Sequence, residues 1–591
     1  MKQFFKFFFA SCLGFVVGSI VLTFLSIAIF SSIAASGSQP KPIGANSVLH
    51  LTFDQAIPEQ TNNLEVSPFD LENQKILGLH DILYALEAAS KDDKIKAIFL
   101  EMESVPVSFA SVDLLRKAIQ TCKDEGKFVV AYAKYYTQGA YYLASVADRV
   151  HVSPIGSVDF RGFSASLTFF KDMLDRVGIN MQILYVGKFK GATEPYRRND
   201  LSPENRLQIR DFITQLYDHY VEQVGISRNI SPADLKKMAD DYIGNDPNKA
   251  LELGLIDGVG YRDNALSELR DAIGLGEKDK IKLVTLQDYY SNNPPSLNLS
   301  IKNKVAVIYA EGAILDGKGS PGSTGDKKYV DIIDKLTKDD NVKAVVLRVN
   351  SPGGSAMASE NMWRSLSLLK EAGKPLVVSM GDYAASGGYY IACMADSIVA
   401  QKNTITGSIG IFSIIPSTQK LFNEKLGIHF DTVKTGRFSL GLNTTFDMTP
   451  EERALYQAQT NRLYDVFIKR VSDGRHLPEA QVREIAEGRV WTGASAQKIG
   501  LVDKIGDLDD AIALAASMSN LETYRVSTYP KIKEPLLQMI EELTGTGDSE
   551  ALQDRLIRSE LADYYPYYKQ LKDLSAAKGA QARLPLVIPF H

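Results

Sequence analysis

Part of this chain is written twice. Lys91-Asp92-Asp93-Lys94-Ile95-Lys96-Ala97 recurs 247 residues later as Lys338-Asp339-Asp340-Asn341-Val342-Lys343-Ala344, and each copy runs into an apolar triplet, Ile98-Phe99-Leu100 and Val345-Val346-Leu347. Gly139-Ala140-Tyr141-Tyr142-Leu143-Ala144 returns as Gly387-Gly388-Tyr389-Tyr390-Ile391-Ala392, and Asp200-Leu201-Ser202-Pro203-Glu204 as Asp447-Met448-Thr449-Pro450-Glu451. Collinear matches at one nearly constant offset mean a duplicated domain, because chance repeats do not keep register over such a distance. Each copy alternates β-branched runs with helical patterns. In the second these are Val305 to Tyr309, Tyr329 to Leu336, Ala344 to Val349, Met362 to Glu371 and Pro375 to Met380. Strands alternating with amphipathic helices predict an α/β fold with a largely parallel sheet in each copy.

The repeat divides the 591 residues into a first copy over 45–286, a linker over 287–303 rich in Asn and Pro, and a second copy over 304–530. An extension, 531–591, ends in an apolar run, Leu584 to Phe590, that calls for a covering surface such as a partner subunit. Residues 1–36 stand apart. Lys2 and Lys6 precede a stretch from Phe7 to Ala35 without a charged residue, longer than the 20 or so apolar residues that cross a bilayer. A cleaved signal peptide has an apolar core of about 7–15 residues, so this segment reads as an uncleaved transmembrane helix. The lysines before it orient the body of the protein across the membrane. With a net charge of −5 and no basic stripe, nucleic acid is not an expected partner. Cys12, Cys122 and Cys393 make neither a disulfide framework nor a zinc site, and the seven histidines have no paired spacing. No metal or cofactor is expected.

Two segments of the second copy carry chemistry. One strand runs into Asn350-Ser351-Pro352-Gly353-Gly354-Ser355 before a helix, and two glycines there let the backbone leave N–H groups exposed to an oxyanion. The next strand ends in Tyr383-Ala384-Ala385-Ser386-Gly387-Gly388, a serine between small residues at a strand-to-helix turn, similar to a nucleophile elbow without its Gly-x-Ser-x-Gly spacing. Alone, the Pro-Gly-Gly is an ordinary turn and Ser386 an ordinary helix cap. Together at the ends of neighbouring strands they describe an acyl-transfer site.

With Thr406-Gly407-Ser408-Ile409-Gly410 downstream, these motifs resemble the signal peptide peptidase A (protease IV) family in its long, two-copy, membrane-anchored form, over the chain up to about residue 530. The resemblance implies tandem ClpP/crotonase-like domains and a Ser–Lys dyad acting on signal-peptide remnants and other extended apolar peptides. It also implies a homotetramer held in a bacterial cytoplasmic membrane by a single N-terminal span, with the catalytic body on the periplasmic side. It makes Ser386 the nucleophile. Gly354 and Gly387 become the oxyanion donors, and Ser408 the residue that orients the lysine.

The base lies within Gly187-Lys188-Phe189-Lys190-Gly191-Ala192-Thr193-Glu194-Pro195. In an extended segment Lys188 and Lys190 share a face, so alternation does not choose between them. Spacing to Glu194-Pro195 in the family motif implies Lys190. The duplication bears on the same point. Gln138 stands opposite Ser386 in the first copy, Glu103-Ser104-Val105-Pro106 stands opposite the glycine turn, and Ser439 stands opposite Lys190 in the second copy, given a two-residue gap before Asp447. Each copy lacks the half that the other keeps, which predicts one site built across both. The rival readings are a crotonase-like acyl-CoA enzyme, an inactive membrane-bound peptide-binding scaffold, and a Ser–His–Asp triad using His429 or His476.

Overall fold

A computed structural model describes residues 42–63, 75–276, 279–296, 298–532 and 580–583, with scattered helical residues between 6 and 25. The expected anchor at 1–36 falls for the most part outside the described residues. Among those described, no helix is long and apolar enough to cross a membrane.

Two sheets repeat one strand order. In the first copy it is Gly258–Val259, Arg149–Val152, Phe128–Ala133, Ile95–Glu101, Ser47–Leu51, Lys282–Thr285, all parallel. In the second the matching six are Lys504–Ile505, Ser397–Ala400, Leu376–Ala385, Val342–Ser351, Lys304–Glu311, Arg525–Tyr529, again parallel, and two further strands join it, Ile405–Gly407 on Leu376–Ala385 and then Val490–Thr492, antiparallel. Both faces of each sheet are covered, which is why the strands read as continuous apolar runs. Successive side chains divide between the faces. Ala306, Ile308, Val345 and Leu347 enter one core, beneath helices that include Asp326–Lys338 and Ala356–Glu371. Val305, Val307, Ala344 and Val346 enter another, with Ala511 and Ala515 of helix Leu508–Met518. Helix Asp326–Lys338 shows the matching periodicity, burying Tyr329, Ile333 and Leu336 on one stripe.

The segment expected to link the copies begins as structure. Leu286–Asn292 is a helix whose Tyr289 and Tyr290 are buried in the first core, their hydroxyls donating to Asp92 and Asp81. The Asn-Pro-Pro stretch that signalled a linker therefore starts only after this helix.

The copies are joined by a third sheet and by a buried polar network. The third sheet runs Thr324–Gly325, Ile314–Leu315, Gly353–Ser355, Gln581–Arg583, Phe412–Ser417, Asn180–Tyr185, so a first-copy strand ends a sheet of four second-copy strands and one from the C-terminal extension. Phe412–Ser417 and Asn180–Tyr185 pair antiparallel, Phe412 opposite Tyr185. In the network, Arg348 is 2% exposed and forks onto Glu59, with Nε to Oε2 at 2.9 Å and Nη2 to Oε1 at 3.0 Å. Its Nη1 donates to Ser379 Oγ and the Met380 carbonyl, and Asn350 Nδ2 adds a bond to Glu59. Ser111 of the first copy donates through both N and Oγ to Asp382 of the second, at 2.8 Å each. Helix Pro203–Arg228 packs Phe212 against Ala385 and Val490.

A buried carboxylate that loses its cation is left without solvent or partner charge, a loss of about 3–5 kcal/mol for such pairs. Arg348→Leu should therefore lower stability by about that amount, read as an earlier midpoint in urea.

Candidate active site

Ser386 leaves strand Leu376–Ala385 with φ 55° and ψ −113° and opens helix Gly387–Ala392. A side chain with positive φ is strained by about 1–3 kcal/mol and persists only where its surroundings hold it. Here Ser386 N donates to Gly407 O at 2.8 Å. The bland reading of this serine was a helix cap, yet its hydroxyl caps nothing. In the first copy the equivalent helix, Gln138–Ala144, is capped by the Thr137 hydroxyl, and Gln138, opposite Ser386, lies inside the helix.

The glycine turn differs from the sequence expectation of a bare turn. Gly353–Ser355 forms a short strand, with Gly354 opposite Ile314 on one side and Gln581–Arg583 antiparallel on the other. Gly353 has φ +97°, and a Cβ there would stand 2.7 Å from Gly387 N. A Cβ on Gly387 would stand 3.1 Å from Gly354 N. The Gly354 and Gly387 nitrogens thus lie near one another, with no room between these backbones for a side chain.

Lys190 arrives from the first copy. After the ladder with Phe412–Ser417, Val186 N donates to Ile411 O, and the chain turns at Gly187, φ +101°, with Lys190 N bonded to Gly187 O at 3.2 Å. The segment is therefore not extended, and the two lysines part. Lys188 keeps a 60% exposed side chain beside Glu487, at 3.1 Å. Lys190 is 1% exposed. Its Nζ lies 2.8 Å from Ser386 Oγ, 3.0 Å from Ser408 Oγ and 3.0 Å from Ser408 O. The Phe412 ring centroid is 5.9 Å away. Ser386 and Ser408 are fully buried, and Ser408 is held at φ 52° with its N–H on Arg489 O. Burial holds the Lys190 amine well below the usual lysine range, since a charged ammonium without water loses its solvation.

Two glycines make this approach possible, Gly187 at the head of the lysine motif and Gly488, which no motif pointed to. A Cβ on Gly187 would come 2.4 Å from Glu487 C and O, and one on Gly488, φ +79°, would come 2.7 Å from Lys190 Cβ. Gln208 ties the two loops, donating to Phe189 O at 2.9 Å and accepting from Val490 N at 3.2 Å. Ser439, aligned with Lys190 in sequence, is exposed in a loop. His429 and His476 are exposed, far in character from the sealed serine. A cavity of about 750 Å³ opens beside Gln138, lined by Phe163, Phe212, Tyr217 and Tyr383, and Ser386 lines no part of it.

The model of peptidase family S49 matches this chain twice, over residues 121–276 and 368–522, once in each copy. The chain belongs to peptidase family S49. It is a serine protease with a duplicated α/β domain, which sets aside the acyl-CoA reading. Protease 4 of Haemophilus influenzae is 35% identical over 85% of this chain and 83% of its own length. The chloroplastic serine protease SPPA of Arabidopsis thaliana is 29% identical over 84% of this chain and 72% of its own. A putative signal peptide peptidase SppA of Enterococcus faecium is 34% identical over 32% of this chain and 54% of its own. The second S49 match contains Ser386, and the first contains Lys190.

Gly488→Ala puts a methyl group against Lys190 and a side chain on a left-handed backbone. It should cost about 1–3 kcal/mol of stability and slow labelling by a fluorophosphonate at least ten-fold, with melting and labelling followed on one preparation.

Proposed function

We propose that this S49 protease is a membrane-anchored endopeptidase with a Ser386–Lys190 dyad, acting on cleaved signal peptides and other extended apolar peptides. The observation that carries the reading is the 2.8 Å approach of a buried, solvent-stripped lysine amine to a buried serine hydroxyl. A neutral amine has two N–H groups and one lone pair. Three oxygens surround Lys190 Nζ. Two N–H bonds to Ser408 O and Ser408 Oγ leave the lone pair for the Ser386 hydroxyl proton. Lys190 then takes that proton as Ser386 attacks the substrate carbonyl, and returns it to the leaving amine. The Gly354 and Gly387 amides receive the oxyanion, and Ser408 keeps the amine aimed. Each copy is assigned to the ClpP/crotonase-like type. The uncharged run Phe7 to Ala35 serves as the single span, with the protease body outside the cytoplasm.

The partner is a further copy of this chain, as a homotetramer. The ladder between Asn180–Tyr185 and Phe412–Ser417 has counterparts elsewhere in the duplicated chain, about 429–434 in the second copy and 164–169 in the first. Neither counterpart lies in a strand, and Val433 is fully exposed, with Phe430 also open to solvent. Pairing 429–434 of one chain with 164–169 of the next repeats the internal ladder head to tail, and such an interface gives a ring where its rotation closes, here after four copies.

Ser386→Ala and Lys190→Ala should each abolish peptide cleavage, and Lys190→Arg as well, since a guanidinium keeps its proton. Lys188→Ala, His429→Ala and His476→Ala should retain activity. Loss in Lys188→Ala with retention in Lys190→Ala would transfer the base to Lys188. Val433→Asp should shift the mass measured by sedimentation from tetramer toward monomer. An unchanged mass would argue against the head-to-tail ladder.

A further inference from the structure

In the first copy the place of the nucleophile is taken by Gln138, whose amide is bonded both ways to one facing residue. Its Nε2 donates to Gly162 O at 3.1 Å, and its Oε1 accepts from Gly162 N at 3.2 Å. The glycine turn has no working counterpart either. Pro106, opposite Gly353, has no N–H, and the N–H of Val107, opposite Gly354, is turned onto Val105 O at 2.9 Å. This counterpart site has lost its nucleophile and its glycine amide, yet it keeps room. The cavity of about 750 Å³ opens beside Gln138, within the roughly 300–1,000 Å³ of sites that hold small ligands.

Both copies build the cavity. Phe109, Phe163 and Phe212 of the first give it aromatic walls, and Tyr383, Ile405 and Asn403 of the second close it. Asn403 is 7% exposed, and its Nδ2 has no hydrogen-bond partner among the described residues. A buried donor without an acceptor is unfavourable, and a carbonyl oxygen held between the aromatic walls satisfies it. A hydrocarbon chain suits the walls but offers no acceptor. An extended apolar peptide offers both, with side chains for the walls and a carbonyl at every residue.

One wall of this cavity is the back of the dyad. Gly191 follows Lys190 directly and lies so close to Asn205 that a Cβ on it would come 2.6 Å from Asn205 Oδ1. Gln208 holds Phe189 O and Val490 N. Phe212 packs on Val490 and on Ala385, the residue before Ser386. Tyr383 and Ile405 face each other in the strands that lead to Ser386 and Ser408. All of these except Phe189 and Ala385 line the cavity. Atoms placed there add packing contacts to that wall, and a ligand that binds one arrangement of it stabilises that arrangement.

We propose that the cavity at Gln138 is a second, non-hydrolysing binding site for an extended apolar peptide, and that its occupancy braces the Lys190 and Ser386 loops for cleavage at the dyad. The peptide class rests on the substrate reading above. One molecule of peptide then acts as activator while another is cut, and the rate climbs more steeply than in proportion at low peptide concentration.

The test uses the full chain in nanodiscs. In one portion Ser386 is blocked with a fluorophosphonate, and binding of a dansylated hexapeptide of leucine and alanine is followed by anisotropy. One peptide per chain should bind. Thr214→Trp sets an indole at an exposed position of the cavity lining, and Asn403→Leu removes the donor at nearly constant size. Each should weaken that binding at least ten-fold, and Asn403→Leu should melt no earlier than wild type. In the unblocked portion the initial rate on a quenched-fluorescence peptide of the same sequence should be sigmoidal in concentration. Both variants should turn it hyperbolic, with kcat at least five-fold lower. A blocked chain that binds no peptide overturns the proposal, as does a site that takes dodecanoate and not the peptide. A hyperbolic wild-type curve overturns it too, and so does peptide binding that both variants leave intact. Cleavage that survives Ser386→Ala, or a Ser386 that takes no fluorophosphonate, overturns instead the dyad reading beneath it.

Discussion

An amine takes a proton from a hydroxyl only once it has given up its own, and exclusion of water shifts Lys190 toward that state. Nothing cationic is needed: burial alone holds its amine below the usual lysine range. Much of the surrounding architecture serves that exclusion. The ladder between Asn180–Tyr185 and Phe412–Ser417 fixes the register of the incoming loop. Gly187 and Gly488 let that loop lie directly on the backbone at Glu487, closer than any side chain permits. Gln208 bonds to both loops, so neither moves without the other.

Such a site is held by two bodies, and the bodies must be locked to each other more firmly than surface contacts allow. The Arg348–Glu59 fork, the Ser111–Asp382 bonds and the packing of Phe212 on Val490 lie in the same seam as the lysine loop. A desolvated ion pair adds little net stability against an apolar substitute but penalises any arrangement that separates its partners. That property suits a seam where register matters more than strength. The left-handed backbones of Ser386 and Ser408 are the local strain that this locking sustains.

The duplication explains why one molecule divides its site in this way. Both sheets keep the same strand order, so both copies retained the scaffold. The chemistry diverged at positions the scaffold does not need: Gln138 against Ser386, and an exposed Ser439 against Lys190. The chain makes one ladder with itself, between Asn180–Tyr185 and Phe412–Ser417, and the counterpart segments near 164–169 and 429–434 are those proposed to meet its neighbours.

What the sequence determined by itself was periodic and local. The α/β class, the two copies and the strand-to-helix positions of Ser386 and the glycine turn follow from apolar alternation, repeat register and glycine placement, which act over a few residues. The choice between Lys188 and Lys190 was not legible from alternation, because the segment turns at Gly187 and one lysine goes inward while the other meets Glu487. Nor was the close packing at Gly488, a lone glycine in no motif, or the seat of Gln581–Arg583 between two strands more than a hundred residues away from it in sequence. Those facts concern which backbones approach one another. Contacts between distant segments leave no period in the chain, and only the folded structure decides them.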